Sequence, residues 1–365
     1  MRKKLRTGSL AIVVAFAVSA CGGDDKVESL NETPPELTQP FAQVVAFGDS
    51  LSDAGTFNPT TADTDPSNDS ATGLPFTTKP GSTWAVYVAA NLGIQLKPNQ
   101  QVNFGIVGNG GAVTQVGGLD YAEGGARIDV DPANAGVVTQ TIPGVGAVSV
   151  QLATSRSIKT QIDDYLSEHA NAFSDNQLVL IQGGANEFFN FLAQVAGNPS
   201  LAANASAVVS ATATSMITQV GRLRAANATQ IIYSNLPDLG QTPQFRTTPL
   251  ASLATQMTAA YNNAVRDQFA AWGVTIFDTS ALIDAVVASP ATYGFSNVTT
   301  PACTSTTTPG NPATLSALIC SPTTLVTPDA DITHLFADGV HPTARAHALW
   351  ADQVTHMPEA VIELH

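Results

Sequence analysis

Four short apolar runs constrain this chain most: Val44-Val45-Ala46-Phe47, Leu178-Val179-Leu180-Ile181, Gln230-Ile231-Ile232-Tyr233 and Val274-Thr275-Ile276-Phe277. Each is short and rich in β-branched residues, and none alternates apolar with polar, so each reads as a strand buried on both faces. Around them stand segments with apolar residues at helical spacing or with alanine-rich composition: Trp84 to Leu92, Ser157 to Leu166, Ala205 to Arg224, Leu250 to Trp272 and Ala344 to His356. Alternation of strand and helix predicts a doubly wound α/β sheet covered on both faces. A further strand is expected near Leu119-Asp120-Tyr121-Ala122. Two stretches break the alternation. Asn103 to Gly125 is glycine-dense, which suits loops that bring backbone close to a ligand, and Ser296 to Asp329 is rich in Thr, Pro and Ser, which suits a functional insertion or rim loop.

The N-terminus is of another kind. Arg2, Lys3, Lys4 and Arg6 precede the apolar run Leu10 to Val18, which is shorter than the ~20 residues a membrane-spanning helix needs, so residues 1–20 read as a secretion signal. Val18-Ser19-Ala20-Cys21 resembles a bacterial lipobox, which makes Cys21 the lipidated first residue of the exported chain; a conventional cleaved signal is the alternative. Residues 21–40, polar, acidic and carrying Pro34 and Pro35, are expected to form a flexible tether, and residues 41–365 a single domain. The expected location is the outer membrane or cell surface, or the periplasm or medium if Cys21 carries no lipid. The full chain has a net charge of −14, and removal of the basic N-terminus makes it more acidic, which argues against nucleic acid as a partner. In an exported protein the remaining cysteines, Cys303 and Cys320, are expected to form a disulfide; they lack zinc-ligand spacing. The acidic stretch Asp63 to Asp69 is interrupted by Pro66 and reads as a solvated loop rather than a calcium site.

Three segments carry chemistry. Gly48-Asp49-Ser50-Leu51-Ser52-Asp53 follows the first strand directly, and open α/β sheets place their ligands at such carboxyl ends. Asp338-Gly339-Val340-His341 spaces a carboxylate so that it can orient a histidine base, with a helix expected to start at Pro342. Asp331 and His334 repeat that spacing, but lack the glycine turn and following helix start that favour Asp338 and His341. His169, His347, His356 and His365 read as surface residues. Gly183-Gly184-Ala185-Asn186-Glu187 follows the second strand, where the Asn186 amide could serve as a donor to an oxyanion or simply as a helix cap. A fourth segment, Tyr121 to Arg127, offers the Gly124-Gly125 pair, either a plain turn or a place where backbone N–H meets a substrate oxygen.

In this order the four segments resemble the GDSL lipases and esterases, also called SGNH hydrolases, from Val44 to about His356. The resemblance implies a flavodoxin-like doubly wound α/β/α sandwich with a mainly parallel sheet. It implies Ser50 as nucleophile, Asp338 and His341 as acid and base, and Ser50 N–H, Gly125 N–H (or Gly124) and Asn186 as oxyanion donors. Two positions depart from the family pattern, Glu187 where aspartate is usual and Asp120 where asparagine is usual; altered loop hydrogen bonding is expected there. The motif wording and the cysteine-containing late loop look like bacterial exported esterases, including the catalytic regions of autotransporter esterases; here lipid on Cys21, rather than a β-barrel, is expected to supply membrane attachment.

The implied reaction is hydrolysis of a carboxylic ester or lipid through an acyl-enzyme on Ser50, with no metal or cofactor. A phospholipase or lipid acyltransferase using the same residues is the nearest alternative, and a non-catalytic surface-binding module on the same fold is a second. Acyl length, alcohol moiety and oligomeric state are not encoded in these motifs.

Overall fold

A computed structural model describes residues 41–59, 73–106, 113–131, 137–142, 146–151, 155–303 and 317–357. These lie within one compact unit, Pro34–His365. Cys21, the tether and the acidic stretch 63–69 fall outside the described residues. In chain order the elements are β1 (Gln43–Phe47), β2 (Phe57–Pro59), α1 (Trp84–Asn91), β3 (Gln100–Ile106), β4 (Val113–Gln115), β5 (Val137–Ile142), β6 (Gly146–Gln151) and α2 (Ile158–Glu168). There follow β7 (Gln177–Ile181), α3 (Ala185–Gly197), α4 (Ala205–Ala225), β8 (Gln230–Ser234), α5 (Ala251–Ala271), β9 (Thr275–Phe277) and α6 (Thr279–Ala288). The last are β10 (Asn297–Pro301), α7 (Ala330–Thr333), β11 (His334–Phe336) and α8 (Ala344–Thr355).

The four apolar runs form one parallel sheet in the order β1-β7-β8-β9. Successive side chains of a strand point to opposite faces, and the core divides accordingly. Val45, Phe47, Val179, Ile181, Ile231 and Tyr233 share one core with residues of α2, α3, α4 and α5. Val44, Ala46, Leu178, Leu180 and Ile232 share the other with Trp84 and Val88 of α1 and Trp350 and Val354 of α8. Runs that are apolar at nearly every position are what two covered faces require. The register pairs Phe47 with Ile181 and Ile181 with Tyr233, so the loops after β1 and β7 leave the same sheet edge side by side.

Several expectations need correction. Leu119 to Ala122 makes isolated parallel bridges, from Asp120 to Ala46 and to Pro98, and not a strand. Part of the glycine-dense stretch is strand: β3 pairs with β4, β2 and β6 in a second, five-stranded sheet. The insertion after Ser296 begins with β10, which pairs with β11, and Cys303 and Cys320 are bonded as expected. α3 and α6 are additional helices, although Phe188, Phe191, Leu192 and Val195 fall at helical spacing in α3 and are all buried. The last helix starts at Ala344 rather than Pro342. Thr343 is its N-cap, accepting from Ala346 N–H, while Pro342 bridges to Phe336.

His347, expected at the surface, is fully buried. Its Nδ1 accepts from Trp84 N–H at 3.2 Å, and the Trp84 and Trp350 rings stack 5.0 Å apart. Burial, with the nearby charges of His341 and Lys79, pushes the imidazole down to about 3. This α1–α8 contact anchors the helix that leaves the His341 turn. Trp350→Ala should therefore cost about 3–5 kcal/mol in urea unfolding, as large core truncations do; a loss below about 1 kcal/mol would show that the stack carries little of the packing.

Candidate active site

β1 delivers Ser50 on a turn that could not form with a larger residue at position 48. Gly48 has φ +154°, and a Cβ there would lie 2.6 Å from the Gln182 carbonyl. Gln161 of α2 grips the same residue twice, its Oε1 accepting from Gly48 N–H at 2.9 Å and its Nε2 donating to Gly48 O at 2.8 Å. Beyond Gly48, the Asp49 carboxylate accepts from Leu51 N–H at 3.0 Å, and the Asp49 carbonyl accepts from Ser52 and Asp53 N–H. Ser50 is half-buried on the outside of this turn, and among the described residues its N–H has no acceptor.

The carboxyl-terminal motif closes on it. Ser50 Oγ lies 2.9 Å from His341 Nε2, and His341 Nδ1 lies 2.7 Å from Asp338 Oδ2. Asp338 is fully buried, and its Oδ1 accepts from the N–H groups of Val340 and His341 at 2.8 and 2.7 Å. A carboxylate that accepts from every side can only orient the imidazole with its Nδ1 protonated, leaving Nε2 to face the hydroxyl. The turn is held by Ala337 N–H donating to His341 O and by the Phe76 ring, 5.2 Å from the His341 ring. His334, the rival histidine, instead meets Asn297 at 3.0 Å and Thr333 at 3.1 Å.

The two remaining segments reach the same edge. Tyr121 N–H donates to Ala46 O and Glu123 N–H to Gly48 O. Gly124 N–H is taken by Asp53 Oδ2 at 2.9 Å, whereas Gly125, exposed at φ +81°, has a free N–H among the described residues. Of the two glycines that the sequence leaves open, Gly124 thus has its N–H occupied and Gly125 does not, among the described residues. Asn186 stands in the first turn of α3, behind the left-handed Gly184, and one Nδ2 hydrogen goes to Ala126 O at 2.8 Å. An amide nitrogen has a second hydrogen to offer. Glu187, the departure from the family pattern, accepts from Ile128 N–H at 2.7 Å and pairs with Arg127 at 3.6 Å; Asp120 accepts from Ala122 N–H at 2.8 Å.

Buried acids hold these loops. Glu123 receives Gln100 Nε2 at 2.6 Å and both the N–H and Nε of Arg156 at 2.7 Å; burial nevertheless pushes it up to about 7. Gln161, Glu123, Arg156 and Asp53 are positioning residues that motif reading of the nucleophile and base does not single out. Asp53 is the partial exception, since it sits inside the first motif. A cavity of about 590 Å³ is lined by Arg127, Glu187, Asn190, Phe191 and their neighbours, immediately after Gly125 and Asn186 in the chain.

Residues 44–354 match the family described as GDSL-like lipase/acylhydrolase. Among solved structures, 28 chains match. One is Est24, a carbohydrate acetylesterase from Sinorhizobium meliloti, 12% identical over 88% of this chain and 99% of that one, with a TM-score of 0.39. Another is a carbohydrate acetylesterase family member from Sinorhizobium meliloti, 14% identical over the same shares, with a TM-score of 0.36. No curated protein matches the chain.

Asp49 supplies a test of the site's electrostatics. It is fully buried, its Oδ2 has no partner among the described residues, and burial raises it from 3.8 to about 7 despite the Leu51 N–H and the charge of His341. Between those values the native chain holds a proton that the unfolded chain has released, so this group's contribution to stability falls as pH rises from about 4 to 7. Asp49→Asn lacks that proton. Urea unfolding should show its stability relative to the parent improving across that window by up to about 1.4 kcal/mol per pH unit; parallel stability curves would contradict the assignment.

Proposed function

Because the chain belongs to the GDSL-like lipase/acylhydrolase family, a family of ester hydrolases, we propose that Ser50 is its acyl-accepting nucleophile. The observation that carries this reading is the continuous hydrogen-bonded line from Ser50 Oγ through His341 to Asp338, at 2.9 and 2.7 Å.

His341 Nε2 takes the Ser50 proton as Oγ attacks the carbonyl carbon of a carboxylic ester. Asp338, fixed by backbone N–H groups, stabilises the imidazolium that results. The carbonyl π electrons move onto oxygen, and Ser50 N–H, Gly125 N–H and the second Asn186 amide hydrogen meet the negative charge. As the tetrahedral intermediate collapses, the ester C–O bond breaks and His341 returns the proton to the departing alcohol. Water then enters, gives a proton to His341 and releases the acyl group, restoring Ser50. The free donors on Ser50 and Gly125 support this assignment, because a backbone N–H without a protein acceptor is costly unless water or a ligand meets it.

Ser50→Ala should lower turnover of a short-chain chromogenic ester by at least about a thousandfold while the circular dichroism spectrum stays unchanged. Asn186→Ala should lower kcat by about 10²–10³-fold with a smaller change in KM, as expected of a donor that acts on the oxyanion. Retained turnover in the serine variant would overturn the reading.

A further inference from the structure

Asp338 receives its hydrogen bonds from two sources of different robustness. Oδ1 is served by Val340 and His341, donors within three residues that belong to its own turn. Oδ2, the oxygen that faces the imidazole, has one further donor among the described residues, Ala317 N–H at 3.1 Å, from 21 residues upstream. Nothing in the turn itself holds Ala317 in place.

We propose that the Cys303–Cys320 disulfide is the positioning device for Asp338, acting through Ala317 N–H, an inference that rests on the Ser50–His341–Asp338 reading. The bond closes a ring around the carboxylate. On one side Cys303 N–H donates to the carbonyl of Ala337, the residue before Asp338, at 3.1 Å, and Ala302 N–H donates to Phe336 O at 2.8 Å. On the other side Cys320 N–H donates to Ala317 O at 3.2 Å, and Ala317 N–H completes the ring at Oδ2. Lys79 braces this half, its N–H donating to Cys320 O at 3.0 Å and its Nζ to Ala317 O at 3.4 Å. Cys303, Ala317, Leu318, Cys320 and Ala337 are all buried in one small cluster with Phe57 and Phe76, and Phe76 is the ring that packs on His341.

The arrangement has a chemical consequence beyond stability. With Ala317 in place, Oδ2 is shared between one backbone N–H and the imidazole Nδ1–H, and the carboxylate plane is fixed from both oxygens. Without it, Oδ1 keeps its two turn donors but Oδ2 loses the backbone bond that fixes its place against Nδ1, and the imidazole is less firmly oriented toward Ser50. Ground-state binding of an ester does not involve this contact, so kcat and not KM should respond.

The test is a double-mutant cycle on the full chain, with Cys303→Ala/Cys320→Ala combined with Asp338→Asn and ester hydrolysis as the readout. The cysteine pair should lower kcat by about tenfold with KM within about twofold, the scale of one lost hydrogen bond to a charged group. In the Asp338→Asn background the same pair should change kcat by less than about twofold, because the group it positions is already altered. Unchanged kcat in the folded cysteine variant, or an equal loss in both backgrounds, would overturn the proposal. Should circular dichroism show the cysteine variant unfolded, Ala317→Pro, which removes the N–H while fixing φ and leaving the disulfide, must give the same loss; full activity of that folded variant would overturn it. Parental activity of Asp338→Asn would instead overturn the reading of Asp338 itself.

Discussion

The contact between Ser50 Oγ and His341 Nε2 joins two turns 291 residues apart in the chain, and much of the surrounding structure serves to make that meeting reproducible. Ser50 arrives from a strand buried on both faces, with Gly48 held by Gln161 from the neighbouring helix. His341 arrives from the short strand β11, on a turn closed by the Ala337–His341 backbone hydrogen bond and followed at once by α8. Neither turn is long, and each is fixed at both ends. A hydroxyl and an imidazole held within hydrogen-bond reach before any substrate enters have already met part of the entropic cost of the reaction.

The same economy governs charge. Asp53 spends its carboxylate on the N–H groups of Gly55, Thr56 and Gly124, linking the first motif to the second. Glu123 is paired with Arg156, whose other arm reaches Asp164 at 2.7 Å. These buried acids are loop anchors, and among the described residues their bonds leave Gly125 with a free N–H beside an occupied Gly124. Asp338, by contrast, is bonded to the His341 ring. Burial raises Asp49, Asp53, Asp120 and Glu123 above their ordinary range, and the ionisation of Asp49 and Glu123, both pushed up to about 7, opposes folding as pH rises toward neutrality.

The parts legible in the sequence are those in which one residue type has one local job. The four apolar runs could bury themselves only as a covered parallel sheet, and Gly48, Ser50 and the Asp338–His341 spacing express their geometry within a few residues. What the sequence hides depends on distant partners. His347 looks like a solvent residue on its helix until Trp84 N–H meets its ring nitrogen. Gln161 is an unremarkable glutamine until Gly48, 113 residues away, is placed against it. The second sheet is built from strands such as Gln100–Ile106, whose polar residues give no apolar run to read. Ala317 reaches Asp338 through its backbone, so no side-chain pattern announces that contact.

An acyl group transiently carried by Ser50 is the central claim, and trapping it is the most direct measurement. The purified protein, mixed briefly with an activated short-chain ester and quenched in acid, should yield a proteolytic peptide containing Ser50 that is heavier by one acyl group. That adduct should form at least as fast as steady-state turnover and disappear once substrate is exhausted. An actively hydrolysing preparation with no adduct on Ser50, or with the acyl group on another residue, would contradict the account.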